Sequence, residues 1–246
     1  PTMRCNFSCY YCFEGENKKM GTMTQDVADS LVDLIEKFRV AFLNIVWFGG
    51  EPLLGFNMIA YISKKLSDRH IQFSSTIITN GSLFTKQIIQ ELDEYKIKTI
   101  QISLDGIDDT HNRRRVTSDG KPTFDTIVNN IGLILENTDL NVSISVAVDH
   151  NNETAYRNVV DFVKNKFLSY YNSKRISVTH NYVKDRTGFD KQKICYSYKD
   201  ILNEEIAALL GRNSNIDMPG FPNKTKPCMF RQKTSFAIDS NGNIYK

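Results

Sequence analysis

The sequence predicts an α/β fold with a parallel β-sheet, most simply a partial (β/α)6 barrel. Short apolar runs alternate with helical patterns from residue 24 to residue 210, and this alternation is typical of βαβ units. Five strands are visible, and a sixth is expected just before Pro1, so the first strand would be largely missing. Turn residues or cysteines follow several strands at the carboxyl end, where such folds bind ligands. An open, doubly wound sheet is the alternative.

The strands are delimited by apolar runs and by the turn residues that end them. Gly49-Gly50, Asn80-Gly81 and Asp105-Gly106 each close a run, because Gly, Asn and Asp favour turns. The predicted strands cover residues 43–48, 73–79, 99–104, 142–148 and 176–182.

The helices follow from apolar residues that recur at helical spacing between the strands. Thr24 is a suitable N-cap for the first helix, since its side-chain oxygen can accept a backbone hydrogen bond. The predicted helices run from Thr24 to about Phe38 and then cover residues 57–67, 86–95, 124–136, 154–167 and 198–210.

The character of the chain changes after Gly211, which divides it into residues 1–211 and 212–246. Residues 213–226 hold Asn, Gly, Pro and Lys with little periodicity and predict a linker. A β-hairpin with an Asn241-Gly242 turn is expected after it. We expect both ends to be cut from a longer protein, since the chain starts at Pro1 and stops at a strand-like segment.

Composition narrows the class of protein. The chain has 246 residues, of which 41% are hydrophobic and 24% charged, and its net charge is +3. This slight basicity gives no support to a nucleic-acid or membrane-surface partner. No apolar run approaches the ~18 residues of a membrane span, and no signal peptide is visible. We therefore expect a cytoplasmic protein.

Three of the five cysteines form a C-x3-C-x2-C motif, Cys5, Cys9 and Cys12. An odd count clustered in this way indicates metal ligation rather than disulfides. Structural zinc sites and [4Fe–4S] clusters normally take four protein ligands, so three thiolates leave one metal position open. A zinc site completed by a distant residue such as His70 or Cys195 is the alternative.

This motif, with an aromatic residue before its last cysteine, resembles the cluster loop of radical S-adenosylmethionine (SAM) enzymes. The resemblance implies that Cys5, Cys9 and Cys12 hold a [4Fe–4S] cluster whose fourth iron is chelated by SAM. Electron transfer would then cleave SAM to methionine and a 5′-deoxyadenosyl radical, which abstracts hydrogen from a substrate. Tyr11 would pack near the adenine.

Strand-end motifs match the same family. The resemblance implies that Gly49-Gly50-Glu51-Pro52 receives the SAM amino group, and the Glu51 carboxylate is suited to an ammonium. Ser103 of Ser-Leu-Asp-Gly and Arg115, which ends an H-x3-R motif, would also contact SAM. Asn80 of Thr-Asn-Gly is expected at the rim of the site.

Other residues near these motifs are assigned less specifically. Arg113 and Arg114 are neighbouring candidates for the SAM carboxylate, although consecutive arginines also suit a solvated loop. Asn181 and Tyr182 end the last strand and could shape the adenine or substrate pocket. The four histidines share no spacing and are expected at the surface or as caps: His70, His111, His150 and His180.

The C-terminal part resembles the start of a SPASM or twitch domain, in which cysteines hold auxiliary [4Fe–4S] clusters. Cys228 would be such a ligand, and Gly242 would begin a G-x4-C motif whose cysteine follows Lys246. The resemblance implies a precursor peptide or protein as substrate and a flavodoxin- or ferredoxin-type reductant. A peptide maturase fits better than a sulfatase-maturing enzyme, because no extra cysteines stand just before Cys228. Cys195 matches no motif and is expected to be a free thiol.

A protein without chemistry of its own is the alternative class, either a cluster-binding electron carrier or a structural zinc protein. A carrier needs no SAM-binding strand ends. Gly49, Gly50, Glu51 and Ser103 therefore favour the enzyme.

Overall fold

A computed structural model describes residues 1–12, 14, 21–184, 195–209 and 235–245. The predicted linker and Cys228 lie outside these residues, so the division at Gly211 stays a prediction. The described strands are β1 (Leu43–Trp47), β2 (Phe73–Thr79), β3 (Ile97–Ser103), β4 (Asn141–Val148), β5 (Ile176–Tyr182), β6 (Ala237–Ile238) and β7 (Ile244–Tyr245).

Eight α-helices are described, and most lie where the sequence predicts them. They are α1 (Gln25–Lys37), α2 (Phe56–Asp68), α3 (Lys86–Glu91), α4 (Asp109–Arg114), α5 (Phe124–Asn137), α6 (Ala155–Lys166), α7 (Leu168–Asn172) and α8 (Tyr198–Leu209). A 3-10 turn, Pro52–Gly55, precedes α2. Thr24 caps α1 as predicted, since its side chain accepts from the Val27 N–H. The short helices α4 and α7 were not predicted.

The main sheet contains β1 to β5, all parallel, in the spatial order β1-β2-β3-β4-β5. A doubly wound sheet would reverse its strand order at a switch point. The sequential order therefore excludes that alternative and confirms the partial (β/α) barrel. The sheet is open, with β1 and β5 at its two edges.

One face of the sheet builds the core. Ile77, Ile100, Ile102 and Ile144 are fully buried, and they pack with apolar residues of the helices, such as Ile62. Right-handed crossovers between sequential parallel strands place all helices on the same side. Among the described residues, no helix therefore covers the opposite face.

That opposite face, here called the inner face, is polar. The strand register aligns its residues in rows, because Ile78 pairs with Gln101 and Gln101 with Ser143. Apart from Ser145 these side chains are half-exposed or exposed, although parallel sheets are normally covered on both faces. The inner face includes Val46, Thr76, Ile78, Thr99, Gln101, Ser103, Ser143, Ser145, Ala147, Ser177, Thr179 and Asn181.

The N-terminal segment runs beside the carboxyl end of β1. The Gly50 N–H donates to the Thr2 carbonyl oxygen at 3.2 Å, and the Glu51 N–H donates to that of Arg4 at 2.8 Å. Because Cys5 directly follows the bonded segment, these hydrogen bonds place the cysteine motif at the carboxyl edge of the sheet.

The C-terminal hairpin has the predicted Asn241-Gly242 turn between β6 and β7. Gly242 has a φ of 85°, which favours glycine. A Cβ at Gly242 would come within 3.1 Å of Val27 in α1, so the hairpin packs closely on that helix.

Among the described helices, none combines the length and apolarity needed to cross a bilayer.

Candidate functional site

The cysteine loop is anchored at the carboxyl edge by bonds on both sides of its thiols. Phe7 is 1% exposed and forms a β-bridge with Thr117. The Ser8 N–H donates to the Val116 carbonyl oxygen at 2.9 Å. Cys5, Cys9 and Cys12 are partly buried and form no disulfide with another described cysteine. The backbone is thus fixed around three thiols that remain accessible.

Gly49 and Gly50 are required by the chain itself. A Cβ at Gly49 would clash with the Thr2 carbonyl oxygen, and one at Gly50 would clash with those of Met3 and Arg4. The close approach that these glycines permit is therefore to the segment before Cys5. The contact of Gly49 and Gly50 with the SAM amino group stays a prediction.

The Glu51 carboxylate is also occupied within the protein. It is fully buried, and its oxygens accept from the Leu53 N–H at 3.0 Å, the Thr79 hydroxyl at 2.6 Å and the Asn80 N–H at 2.8 Å. Burial raises the pKa of Glu51, and the bonds from Asn80, Thr79 and Leu53 oppose that rise. The carboxylate thus ties the end of β1 to the end of β2, and its contact with the SAM ammonium stays a prediction.

Asn80 lies against the cysteine loop. Its Nδ2 donates to Oδ1 of Asn6 at 2.8 Å, and Nδ2 of Asn6 donates to the Ser82 hydroxyl at 3.0 Å. Asn80 is 4% exposed. It contacts the residue that follows Cys5, so it helps to position the loop. Asn6 was not singled out from the sequence.

Tyr11, Asp105 and Arg115, here called the inner triad, form a buried charged cluster. The Tyr11 hydroxyl donates to Asp105 and accepts from Nη1 of Arg115 at 2.5 Å. Arg115 Nη1 lies 3.6 Å from the Asp105 carboxylate. Burial would lower the pKa of Arg115, but Tyr11 and Asp105 outweigh it and raise that pKa, so Arg115 is charged.

The inner triad lies close to a thiol of the motif. Burial raises the pKa of Cys9, and the positive charge of Arg115 opposes that rise. Burial also raises the pKa of Tyr11 well above its ordinary value, so its hydroxyl keeps its proton. Arg115 therefore brings a fixed positive charge beside the cysteine loop, as a SAM-carboxylate partner requires.

His111 is buried at the base of this cluster, not at the surface as expected. Its Nδ1 accepts from the Asp105 N–H at 3.2 Å. Its Nε2 lies 3.1 Å from the Thr123 hydroxyl, which donates to the Arg115 carbonyl oxygen at 2.7 Å. Burial lowers the pKa of His111 to about 4. The neutral ring therefore links the end of β3 to the backbone of Arg115.

Arg114, Asp149 and Tyr10, here called the outer triad, form a second cluster, in which Arg114 and Asp149 are buried and Tyr10 is exposed. Nη1 of Arg114 donates to both Asp149 oxygens at 2.9 Å, and its Nη2 donates to the Ala147 carbonyl oxygen at 3.1 Å. The Tyr10 hydroxyl donates to Asp149 at 2.7 Å. Arg114 is 5% exposed, so the solvated-loop interpretation is wrong for it, whereas Arg113 is exposed. Neither Asp149 nor Tyr10 was singled out from the sequence.

Ser103 lies on the inner face at the last position of β3 and pairs with Ser145. The Asn181 amide donates to the Ser145 hydroxyl at 2.9 Å, so Asn181 belongs to the same polar surface. The Tyr182 ring instead packs against two other rings, with its centroid 5.4 Å from that of His180 and 4.9 Å from that of Tyr196. The structure therefore brings Ser103 and Asn181 together and separates Tyr182 from them.

The donor set fits an iron–sulfur cluster better than a single zinc ion. Among the described residues, no three His, Cys, Asp or Glu side chains are gathered closely enough to hold one ion. His70 precedes β2 at the amino edge of the sheet, opposite the cysteine loop, so it does not complete a zinc site there. In a [4Fe–4S] cluster each thiolate binds a different iron. Three spaced, accessible thiols suit that arrangement.

The remaining sequence-predicted residues lie away from the loop or outside the described residues. His70 and His150 are exposed, and His180 is half-buried against Tyr156. Cys195 is half-buried before α8. Cys228 falls outside the described residues.

Comparison with known proteins identifies the family. A model of the radical SAM superfamily matches residues 1–163. The chain is 28% identical over 184 residues to the radical SAM cyclopropyl synthase TigE of Paramaledivibacter caminithermalis, covering 68% of this chain and 38% of that protein. It is 25% identical over 272 aligned positions to the cysteine-type anaerobic sulfatase-maturating enzyme of Clostridium perfringens, covering 98% of this chain and 70% of that enzyme.

A solved structure shares the fold. The structure of anSMEcpe with bound AdoMet and the Cp18Cys peptide superposes with a TM-score of 0.67 at 21% identity, covering 87% of this chain and 60% of that one. The chain spans less than half the length of the first curated relatives that it matches.

Proposed function

Because the chain belongs to the radical SAM superfamily, we propose that it takes part in the radical modification of a peptide or protein substrate. Cys5, Cys9 and Cys12 would hold a [4Fe–4S] cluster, which when bound supplies the electron that cleaves SAM to a 5′-deoxyadenosyl radical. The radical would serve to abstract a hydrogen atom from the substrate. Formation of a thioether or carbon–carbon crosslink in a ribosomal peptide is the proposed outcome.

One observation carries this proposal: the cysteine loop is fixed at the carboxyl edge of an open sheet whose inner face is polar and bears none of the described helices. Gly50, Asn80 and Arg115 hold the loop or its neighbours from three strand ends. In such folds ligands bind at this edge. A molecule bound over the loop would therefore lie against the inner face.

The chain's own residues suggest how SAM is bound. The Arg115 guanidinium is charged and planar, which suits capture of the methionine carboxylate. With the Glu51 carboxylate turned inward, the backbone carbonyl oxygens of Gly49 and Gly50 remain as acceptors for the ammonium. The Ser103 hydroxyl on the inner face can hydrogen-bond to the ribose. Tyr11 and Asn80 position the loop around these groups.

The inner face supports a peptide as the substrate class. Hydroxyl and amide groups dominate the face, and none of its residues is charged. Such groups can donate to and accept from peptide amides, whereas a phosphate-rich substrate calls for cationic partners. Relatives and structural neighbours of this chain include a sulfatase-maturating enzyme and a peptide-bound structure. Maturation of a sulfatase is the second candidate on this ground.

Further parts of the proposed function depend on regions that the structure does not describe. Cys228 would ligate an auxiliary [4Fe–4S] cluster of a SPASM or twitch domain. A small flavodoxin- or ferredoxin-type protein would supply electrons, and the reaction would take place in the cytoplasm.

The proposal is tested by replacing one thiol in the full-length protein. Cys12→Ala should leave a folded protein that forms no 5′-deoxyadenosine when reduced with SAM, because cofactor chemistry requires the ligated cluster. Cys195→Ala is the matched control, since this half-buried thiol lies outside the motif. Both variants are reconstituted anaerobically, and 5′-deoxyadenosine is quantified by chromatography. Production at the parent rate by Cys12→Ala would show the assignment to be wrong.

A further inference from the structure

The geometry points to a positioning role for the outer triad: we propose that Tyr10, Arg114 and Asp149 act as one unit that holds the cysteine loop in the geometry needed for SAM cleavage. The proposal rests on the proposed function. Tyr10 lies between Cys9 and Cys12, so whatever fixes Tyr10 fixes the segment that carries two of the three thiols.

The buried ion pair provides a rigid anchor for Tyr10. Asp149 is fully buried and Arg114 is 5% exposed. Asp149 Oδ1 accepts from the Asn151 N–H at 2.9 Å, and the Asp149 N–H donates to the Asn152 side chain at 2.8 Å. These bonds fix the carboxylate at the carboxyl end of β4 independently of the cysteine loop. An anchor of this kind can therefore position the loop rather than follow it.

Tyr10 engages the anchor in two ways. Its hydroxyl donates to Asp149 at 2.7 Å and accepts from Nη1 of Arg114 at 2.5 Å. The Arg114 guanidinium carbon lies 5.4 Å from the centroid of the Tyr10 ring. Tyr10 itself is 46% exposed, so packing contributes little to its placement. The phenol hydrogen bonds are the main constraint on this part of the loop.

The two triads hold the loop at two neighbouring strand ends. Tyr11 is bound to Asp105 after β3, and Tyr10 is bound to Asp149 after β4. The Arg114 guanidinium also lies 5.0 Å from the Tyr11 ring centroid, so the triads are in contact. With the outer triad removed, the segment between Cys9 and Cys12 would lose its tie to the end of β4 and would keep the tie of Tyr11 to the end of β3.

This role predicts a loss of turnover without a loss of SAM affinity. The side-chain hydrogen bonds of the outer triad join Tyr10 to Arg114 and Asp149 and do not involve the Arg115 guanidinium, which is proposed to bind the SAM methionine group. Misplacement of the reacting atoms lowers the rate of the chemical step. Tyr10→Phe removes the hydroxyl and keeps the ring. We expect its kcat for SAM cleavage to fall about tenfold, the size of effect that loss of a hydrogen bond to a charged group can produce.

The experiment is a double-mutant cycle in the full-length, cluster-reconstituted enzyme, with Tyr10→Phe, Asp149→Asn and the double variant. Turnover is measured as 5′-deoxyadenosine, affinity as the SAM dissociation constant, and cluster content as iron and sulfide. If the triad acts as one unit, Tyr10→Phe costs about tenfold in the parent and little in the Asp149→Asn background. The electron paramagnetic resonance signal of the reduced cluster, recorded in the presence of SAM, should be broader in each single variant than in the parent.

Tyr61→Phe is the matched control. The Tyr61 hydroxyl donates to Asp29 at 2.9 Å, and Lys65 both pairs with Asp29 and lies 5.0 Å from the Tyr61 ring. This is a similar Tyr–Asp–cation arrangement between α1 and α2, away from the cysteine loop, and its loss should leave kcat unchanged.

The outcomes separate the two proposals. Equal kcat values for Tyr10→Phe and Tyr61→Phe, additive effects in the cycle, or a change confined to the SAM dissociation constant would each overturn the positioning role. A parent enzyme that forms no 5′-deoxyadenosine would overturn the proposed function and this role with it. If Asp149→Asn does not fold, the comparison of Tyr10→Phe with Tyr61→Phe still decides, because Tyr10 is half-exposed.

Discussion

The buried His111 ring should make the folded protein less stable in mild acid. The pKa of His111 is lowered from 6.5 to about 4, chiefly by burial, with further lowering by Arg115 and Arg114 and an opposing effect of Asp105. Below pH 6.5 the unfolded chain binds a proton at this histidine, whereas the folded protein keeps the ring neutral until about pH 4. The stabilisation is therefore complete above pH 6.5 and is lost as the pH falls towards 4.

The size of the effect follows from the difference between the two pKa values. Each pH unit in this interval is worth about 1.4 kcal/mol, so the full loss by pH 4 is roughly 3 kcal/mol. At pH 5.5, one unit below the unfolded pKa, the free energy of unfolding should fall by about 1.4 kcal/mol. Burial sets the direction of the pKa shift, and protonation of Nδ1 would also remove the acceptor of the Asp105 N–H.

The assay compares the free energy of unfolding at pH 7.5 and pH 5.5 for the parent, His111→Gln and His70→Gln. Urea denaturation followed by far-UV circular dichroism supplies the values. His70 is exposed, so its replacement should keep the parent's pH dependence. His111→Gln should lose about 1.4 kcal/mol of that dependence, while contributions from Glu51 and other groups cancel in the comparison. The same acid loss in His111→Gln as in the parent would refute the reasoning.

Two further predictions concern the cysteine loop and SAM capture. Gly50→Ala should abolish 5′-deoxyadenosine formation, because the added Cβ would displace the backbone at Met3 and Arg4. Gly21→Ala is the control and should keep the activity, because no atom lies within 4 Å of its Cβ position. A fully active Gly50→Ala would contradict the close packing. Arg115→Lys should raise the SAM dissociation constant about tenfold by losing the planar fork, and unchanged binding in Arg115→Lys would remove Arg115 from the SAM site.

The periodic elements could be predicted from the sequence because local pattern and tertiary burial agree in them. In β2, alternate residues from Phe73 to Thr79 are buried, which matches the period of a strand. The carboxyl edge was predictable for a related reason. In a parallel sheet every strand ends at the same edge, so turn motifs far apart in sequence are brought together.

The short helix α4 could not be predicted in this way. Its sequence, Asp-Thr-His-Asn-Arg-Arg, has no apolar periodicity, and the burial of Arg114 depends on Asp149, 35 residues later in the chain. A buried arginine is stable only with such a partner. The role of Glu51 was missed for the same reason, since two of its three partners, Thr79 and Asn80, lie on the next strand end.

The end of α4 explains how two consecutive arginines come to serve different strand ends. Arg114 is the last residue of the helix, and Arg115 is its C-cap with an extended backbone at φ −126° and ψ 81°. The chain therefore turns out of the helix between them, which lets Arg114 pair with Asp149 and Arg115 with Asp105. Each buried guanidinium thus faces one buried carboxylate, and burial of unpaired charge is avoided. The SAM carboxylate proposed to bind Arg115 would then compete with Asp105 for that guanidinium, and the Tyr11 hydroxyl between the two residues would be the first group to move.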